Sequence, residues 1–589
     1  MHVLSIEQTA LMDRHRAMSA VATHAALVAF PFLSPFVAGP SVNVWQLLGA
    51  WVCVAALVLL AGRSQGGGVA PARPLLCWLG VVLAAIAWRH GRDPALFLGA
   101  MGAVVAVALA ACVGAGWARA PRTRPAALAW GLLAAGLASA VLGLCQYYGA
   151  ATALVPWTTA PEVGQAYGNL RQRNQFATLV AMALAAALWL YADRAARGAP
   201  GRAASGAATA AIALLTLAAA ASTSRTGLLQ WMSISLAAAA LAWGERRARA
   251  RPHRLPHPAL LLALIPAYFA AAWALPLAAG PEVEGMLRRL RDGLPEGHGR
   301  MLLWRNVVDL IALHPWAGWG WGELSFAHFD TLYAGPRFVE ILDNAHNLPL
   351  HLAVELGVPA SLAICGGFAV LALAARPWRE REPTRLLAWA ALGAMVLHSL
   401  LEYPLWYGPF QLVFGLCLGL LWPGAAAAGR DAGEAAMVEA AAAGVARRPT
   451  PTSAWMQLPR AAAVLLLAAV AFAAWDYTRI SQLYLARADR LAPWRDDTLA
   501  KLRSSWLFAS QVRFAELSMT PVTSANAAEV HALAQRMLHF SPEPRVIVRL
   551  IDSATLLGRD DEAAALAARF KAAFPAEYAR WLRGKPPTS

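Results

Sequence analysis

Residues Pro94–Trp117 read PALFLGAMGAVVAVALAACVGAGW, a run without one charged side chain. As a helix rising about 1.5 Å per residue it would be roughly 36 Å long, more than the hydrocarbon core of a bilayer, about 30 Å. Outward from it the pattern repeats. Comparable apolar runs fall at 18–38, 43–62, 73–88, 126–149, 174–192, 205–222, 227–244, 258–279, 348–375, 384–401, 405–425 and 459–476. With every backbone polar group needing an internal partner in lipid, runs of this length can cross only as helices. The expected fold is all-α: a polytopic membrane protein with about thirteen transmembrane helices.

Composition agrees. Of 589 residues, 58% are hydrophobic and 14% charged, where a soluble domain carries about a quarter. The net charge of +16 does not call for nucleic acid, because the basic residues sit in short loops between spans. Alternate loops hold Arg119/Arg122/Arg124, Arg194/Arg197/Arg202, Arg246/Arg247/Arg249/Arg251/Arg254, Arg376/Arg379/Arg381/Arg385 and Arg430/Arg447/Arg448. The intervening loops hold far fewer. The positive-inside rule makes the rich set cytoplasmic and the N-terminus with it, and an odd number of spans puts the tail on the far side, the periplasm of a bacterial inner membrane. Cys53, Cys77, Cys112, Cys145, Cys365 and Cys417 all lie in apolar runs, with no spacing suited to a metal or a disulfide framework. The N-terminal run lacks an Ala-x-Ala exit and is expected to remain as an anchor.

This divides the chain into a cytoplasmic tail (1–17), nine spans (18–279), a large periplasmic loop (280–347), three spans (348–425), an Ala-, Glu- and Gly-rich cytoplasmic linker (426–458), a last span (459–476) and a periplasmic helical domain (477–589). In that domain Arg479–Arg490, Ala527–Phe540, Pro544–Leu557 and Asp560–Phe574 read as amphipathic helices with a TPR-like helix-pair cadence.

Polar features cluster on the periplasmic side: Tyr167–Asn174, the tight turn Ser222–Gly227, Gly299-Arg300 with Trp304, Ala345-His346-Asn347, and Glu402-Tyr403-Pro404-Leu405 capping a hairpin. Each has an ordinary explanation. Arg171 alone reads as a snorkelling arginine, and His346 alone as a satisfied interfacial histidine. Glu355, embedded in the run after the large loop, has His351 one turn earlier as a structural partner. Trp304, Trp316, Trp319 and Trp321 fit an interfacial belt, and Met301–Leu313 has the spacing of a helix lying flat on the membrane. Arg225 is less easily dismissed, in a very short turn on the side where arginine is disfavoured. Taken together, permanently charged guanidinium groups suit a diphosphate, and an imidazole suits removal of a proton from a hydroxyl. With no paired-Asp motif for Mg²⁺ nearby, transfer is expected to be metal-independent, with no cofactor.

The ordered series Gly168–Asn174, Ser224-Arg225-Thr226-Gly227, Gly299-Arg300 with Trp304, His314–Gly320, and His346-Asn347 with Glu355-Leu356-Gly357 resembles the O-antigen ligase and polymerase superfamily. Within it the chain looks like the pilin-type protein O-oligosaccharyltransferases, whose extra C-terminal domain the tail resembles. The resemblance implies a GT-C-like glycosyltransferase that moves an oligosaccharide en bloc from undecaprenyl diphosphate to Ser or Thr of a periplasmic protein such as pilin, with inversion. It implies His346 as the essential histidine, Arg225 and Arg300 as diphosphate ligands, Arg173 as a further donor contact, and Glu355 and Tyr403 as supporting positions. Lipid A-core ligation and repeat-unit polymerisation share this chemistry and differ in acceptor. A secondary transporter is the rival of another class; it would call for mid-membrane charges and internal repeats.

Overall fold

The computed structural model describes residues 2–36, 39–41, 43–61, 70–120, 123–198, 201–248, 253–280, 283, 285–292, 299–424 and 452–584. Among them the chain is helical, without a strand beyond an isolated bridge between Pro71 and Pro423. The first ten helices are α1 (His2–Leu33), α2 (Val44–Ala61), α3 (Arg73–Trp88), α4 (Pro94–Trp117), α5 (Thr123–Tyr147), α6 (Arg173–Ala196), α7 (Arg202–Ala221), α8 (Arg225–Arg247), α9 (Pro258–Leu262) and α10 (Leu264–Ala279). Of the described residues, nine helical stretches are long and apolar enough to cross a membrane; Met18–Leu33, Arg73–Trp88 and Gly408–Leu421 are apolar but shorter. The expected linker falls largely on 426–451, outside the described residues. All six cysteines are unpaired.

The large loop carries α11 (Met286–Asp292), α12 (Arg300–Leu313) and α13 (Leu324–Asp330), and is followed by α14 (Leu348–Leu356), α15 (Val358–Ser361), α16 (Gly367–Ala375), α17 (Pro383–Ser399) and α18 (Gly408–Leu421). Every residue of α18 is buried. Its fourteen residues span roughly 21 Å, too short for the bilayer core by itself. It sits inside the bundle instead, its backbone against α4: a Cβ on Gly415 would meet the Val107 carbonyl oxygen at 2.5 Å, and one on Gly419 would run into that of Ala111. Small residues four apart are what allow such close packing where lipid supplies no hydrophobic drive.

The apolar run 348–375 is not a single span. It breaks at Gly357, at φ +91°, and the membrane-length helical stretch begins at Val358. The cause is the tryptophan-glycine loop before it. The last carbonyls of α14 accept from that loop, Val354 from the Trp319 N–H at 2.8 Å and Glu355 from the Gly320 N–H at 2.9 Å, while the Val358 N–H donates to the Pro315 carbonyl at 2.8 Å. Helix-end carbonyls that would have been satisfied by continuing the helix are satisfied by the loop. The belt explanation fits exposed Trp316. Trp304 and Trp319 instead donate their indole N–H groups to the Ala345 and Leu310 carbonyls, and Trp321 stacks on Trp406.

After the undescribed segment, α19 (Thr452–Ser481) starts seven residues earlier than expected and ends at Ser481, so Arg479–Arg490 is a helix end followed by short 3₁₀ turns rather than an amphipathic helix. Then come α20 (Thr498–Leu502), α21 (Ala509–Met519), α22 (Ala527–Phe540), α23 (Pro544–Leu556), α24 (Asp560–Ala573) and α25 (Pro575–Leu582). Their core includes Val530, Met537, Ile547, Ile551 and Phe570, and it takes in Phe329 from α13. Residues on the same short helix, Leu324 and Ala327, belong to another core with Leu303, Val307, Leu342 and Ala345.

Candidate active site

Four helices begin where the polar motifs meet. Asn174 lies in the first turn of α6, Arg225 opens α8, Arg300 opens α12, and Asn347 caps α14 immediately after His346. The caps follow from sequence. The Gln172, Ser224 and Asn347 side chains accept from the N–H groups of Gln175, Gly227 and Leu350 at 2.8, 2.9 and 3.1 Å, and Pro349 lacks the N–H that the first helical turn leaves unused. Helix starts carry partial positive charge, so their gathering favours an anion beside them.

At the centre is the carboxylate of Glu402, 6% exposed, in the loop between α17 and α18. One oxygen accepts from His346 Nδ1 at 2.7 Å; the other accepts from Arg300 Nη2 and from Asn174 Nδ2 at 3.1 Å. Asn174 Oδ1 in turn accepts from the Ser224 hydroxyl at 2.6 Å. Burial by itself would raise the Glu402 carboxyl, but the hydrogen bond from His346 and the charge of Arg300 oppose it, and the group is held below its ordinary range. An ionised carboxylate only accepts. His346 Nδ1 therefore carries the proton, and in the neutral imidazole Nε2 keeps its lone pair for a substrate.

His346 is held in that place at a conformational cost. Its φ is +50°, in the left-handed region, and its N–H donates to Asn344 Oδ1 at 2.9 Å. Arg171 and Thr223 share this conformation at φ +56° and +48°. Such positions cost on the order of 1–3 kcal/mol each and cluster at functional sites. The Tyr403 ring stands edge-on to the imidazole, centroids 5.1 Å apart, and burial raises its phenol so that it stays a neutral donor.

The sequence-expected residues divide as follows. His346, Arg300 and Tyr403 are together at Glu402. Arg225 adjoins them through Ser224 and Asn174; its guanidinium donates to the Arg289 carbonyl, and its Nε has no hydrogen-bond partner among the described residues. Arg173 opens α6 beside Asn174. Glu355 stands apart from the Glu402 cluster: its fully buried carboxyl accepts from the N–H groups of Gly322 and Leu324 and lies 3.5 Å from His351 Nε2, bracing the loop behind the site. Glu402 itself was legible only as a hairpin cap, and Asn174 and Ser224 only as motif letters. Among the described residues no three His, Cys, Asp or Glu side chains converge as they would to hold a metal.

Three family comparisons match the chain: Protein glycosylation ligase at residues 166–191, O-Antigen ligase at 210–365, and Virulence factor membrane-bound polymerase, C-terminal, at 386–586. It resembles the O-antigen ligases and protein glycosylation ligases. Each matched segment contributes to the site: Arg173 and Asn174 from the first, Ser224, Arg225, Arg300 and His346 from the second, Glu402 and Tyr403 from the third. Two curated relatives come from Acinetobacter baylyi (strain ATCC 33305 / BD413 / ADP1). The General O-oligosaccharyltransferase is 30% identical over 131 residues, 21% of this chain and 22% of that protein. The ComP-specific O-oligosaccharyltransferase is 26% identical over 131 residues, 22% of this chain and 24% of its own length. The chain thus spans about a quarter or less of the length of these relatives.

Proposed function

We propose that the protein is a glycosyltransferase that moves an oligosaccharide en bloc from undecaprenyl diphosphate to Ser or Thr hydroxyls of periplasmic proteins such as pilin. The observation that carries this is the Glu402–His346–Arg300 cluster amid four helix N-termini. The acceptor hydroxyl gives its proton to His346 Nε2 as its oxygen forms the new bond to the anomeric carbon. The bond from that carbon to the diphosphate oxygen breaks, and undecaprenyl diphosphate leaves with the electron pair. Attack opposite the leaving group inverts the anomeric configuration. Glu402 orients the ring and stabilises the imidazolium that forms, as buried carboxylates do for catalytic histidines. Arg225 and Arg300 receive the diphosphate. Arg300 spends one nitrogen on Glu402, and a guanidinium has five N–H groups. Arg173 lies near enough in sequence to Asn174 to extend that contact. The negative charge released is met by guanidinium groups and helix ends, so the reaction is metal-independent. The arginine-rich loops orient the bundle in an inner membrane with this site facing the periplasm.

The test incubates purified protein with a lipid-linked oligosaccharide and a candidate pilin in EDTA, with mass spectrometry of the acceptor. Glycosylated pilin from the wild type and none from His346→Ala, at equal membrane insertion, is the expected result. Full activity of His346→Ala removes the mechanism. Lipid A-core modification in place of pilin modification moves the protein to the O-antigen ligase reaction, which the match over 210–365 favours as the second reading.

A further inference from the structure

One helical turn beneath the Glu402 cluster lies a second polar layer that the proposed chemistry does not use. Thr178, Gln230 and His398 are 0%, 1% and 0% exposed, on α6, α8 and α17. Thr178 is where they meet. Its hydroxyl donates to the Asn174 carbonyl at 2.9 Å and accepts from Gln230 Nε2 at 2.9 Å. His398 Nδ1 lies 2.8 Å from the same oxygen. The hydroxyl proton has two carbonyl acceptors in reach, Asn174 at 2.9 Å and Gln230 Oε1 at 3.1 Å; given to either, it leaves His398 Nδ1 as the donor. The Gln230 amide also donates to the Ala394 carbonyl at 2.8 Å, tying α8 to α17.

The two layers are in register. Thr178 is four residues from Asn174, and His398 four from Glu402. The Glu402 N–H donates to the His398 carbonyl at 2.8 Å, and Ser224, which bonds Asn174, caps the helix that carries Gln230. A shift of α17 against α6 that loses the His398–Thr178 bond also moves Glu402 against Asn174, because Asn174 is one turn from Thr178 on α6 and Glu402 follows the end of α17, held to it by its N–H bond to the His398 carbonyl. His398 Nε2 has no partner among the described residues, so the ring's hydrogen bonding there is this one bond, and it stands perpendicular to the Phe410 ring.

We infer that His398 is a positioning residue: through Thr178 it fixes the register of α17 against α6, and so holds the Glu402 carboxylate where it can orient His346. The inference rests on the glycosyl transfer proposed above. It assigns no proton transfer to His398, whose bond to Thr178 is what acts.

A double-mutant cycle on the full-length protein tests it, with saturating lipid-linked oligosaccharide and an acceptor pilin. His398→Leu is expected to lower kcat about tenfold while leaving the donor KM within about twofold; in the Glu402→Gln background the same change should alter kcat less than about twofold. His398→Asn, which keeps an N–H for Thr178, should recover most of the rate. Thr178→Val, nearly the same in shape, goes through the same cycle and decides the matter if His398→Leu does not yield monodisperse protein. Equal factors in both backgrounds overturn the inference while leaving the transferase reading intact. Absence of transfer by the wild type overturns both.

Discussion

Glu402 is one residue asked to do two opposed things: stay charged while buried, and share its oxygens among a histidine, an arginine and an asparagine. Its folded pKa lies below the ordinary 4.5. A depressed carboxylate adds stability that is fully present above the unfolded value and lost as pH falls through the folded one. Glu402→Gln removes that dependence. The gap in melting temperature between wild type and Glu402→Gln should therefore hold from neutral pH down to about 4.5 and shrink below it; a constant gap would mean the carboxylate is not held by charge. Turnover should fall about 10²- to 10⁴-fold in the same variant, since a neutral amide leaves the imidazole unoriented and its cation unsupported. Arg225 makes a complementary case, because among the described residues its buried Nε has no hydrogen-bond partner and its charge no carboxylate partner. Arg225→Ala should raise the donor KM about tenfold or more with a smaller change in kcat, read by titrating lipid-linked oligosaccharide. Arg225 stood out as an arginine in a very short turn, whereas Arg300 and His346, in the large loop, were singled out through the resemblance of the ordered motifs. Glu402 was not, since its role depends on partners 56, 102 and 228 positions away, and a carboxylate at a hairpin is ordinary until those distances close.

Besides Arg479–Arg490, the element that sequence reading misjudged was α14. Hydropathy runs unbroken from Leu348 to Ala375, so counting apolar residues makes one span. The signs of a break were present in Asn347-Leu348-Pro349 as a helix start and Gly357-Val358-Pro359 as a stop and restart, but neither changes hydropathy. The other long helices were legible because runs of their length have one solution in lipid, and α22, α23 and α24 because their apolar positions recur at helical spacing. Gly357 is where the break can be tested. An added Cβ would collide with the Trp316 carbonyl, and φ is already in the range L side chains avoid. Gly357→Ala should cost about 1–3 kcal/mol in stability and reduce transfer by displacing α14 and the His346 turn that precedes it. Detergent melting and turnover measured together would show whether the two fall in step.

On the scale of the molecule, α13 joins the tail's core to the loop that holds His346, while Leu502, Leu507, Phe508 and Val512 pack with Val44, Trp45 and Ala95. The His539 ring stacks on Phe326 while its Nδ1 lies 2.6 Å from Glu323, and Arg569 Nε lies 3.1 Å from an Asp330 carboxylate oxygen. Phe329 is 2% exposed within the tail's core, and the Ser325 hydroxyl donates to the Leu342 carbonyl, four residues before His346. Phe329→Ala should remove about 3–5 kcal/mol of packing. Hydrogen exchange should then quicken both in Ala527–Phe540 and in 338–345. Faster exchange in the tail alone would mean the two cores are independent.

The position of α13 also bears on how such proteins can be recombined. The segment that resembles a polymerase C-terminal region starts at residue 386, but the packing it completes reaches back to 323–330, inside the ligase-like segment. A tail grafted from a relative at that seam would leave behind the helix it is built around. A graft that keeps this core whole takes the tail together with those eight residues, and with them the contact to the loop that holds the histidine.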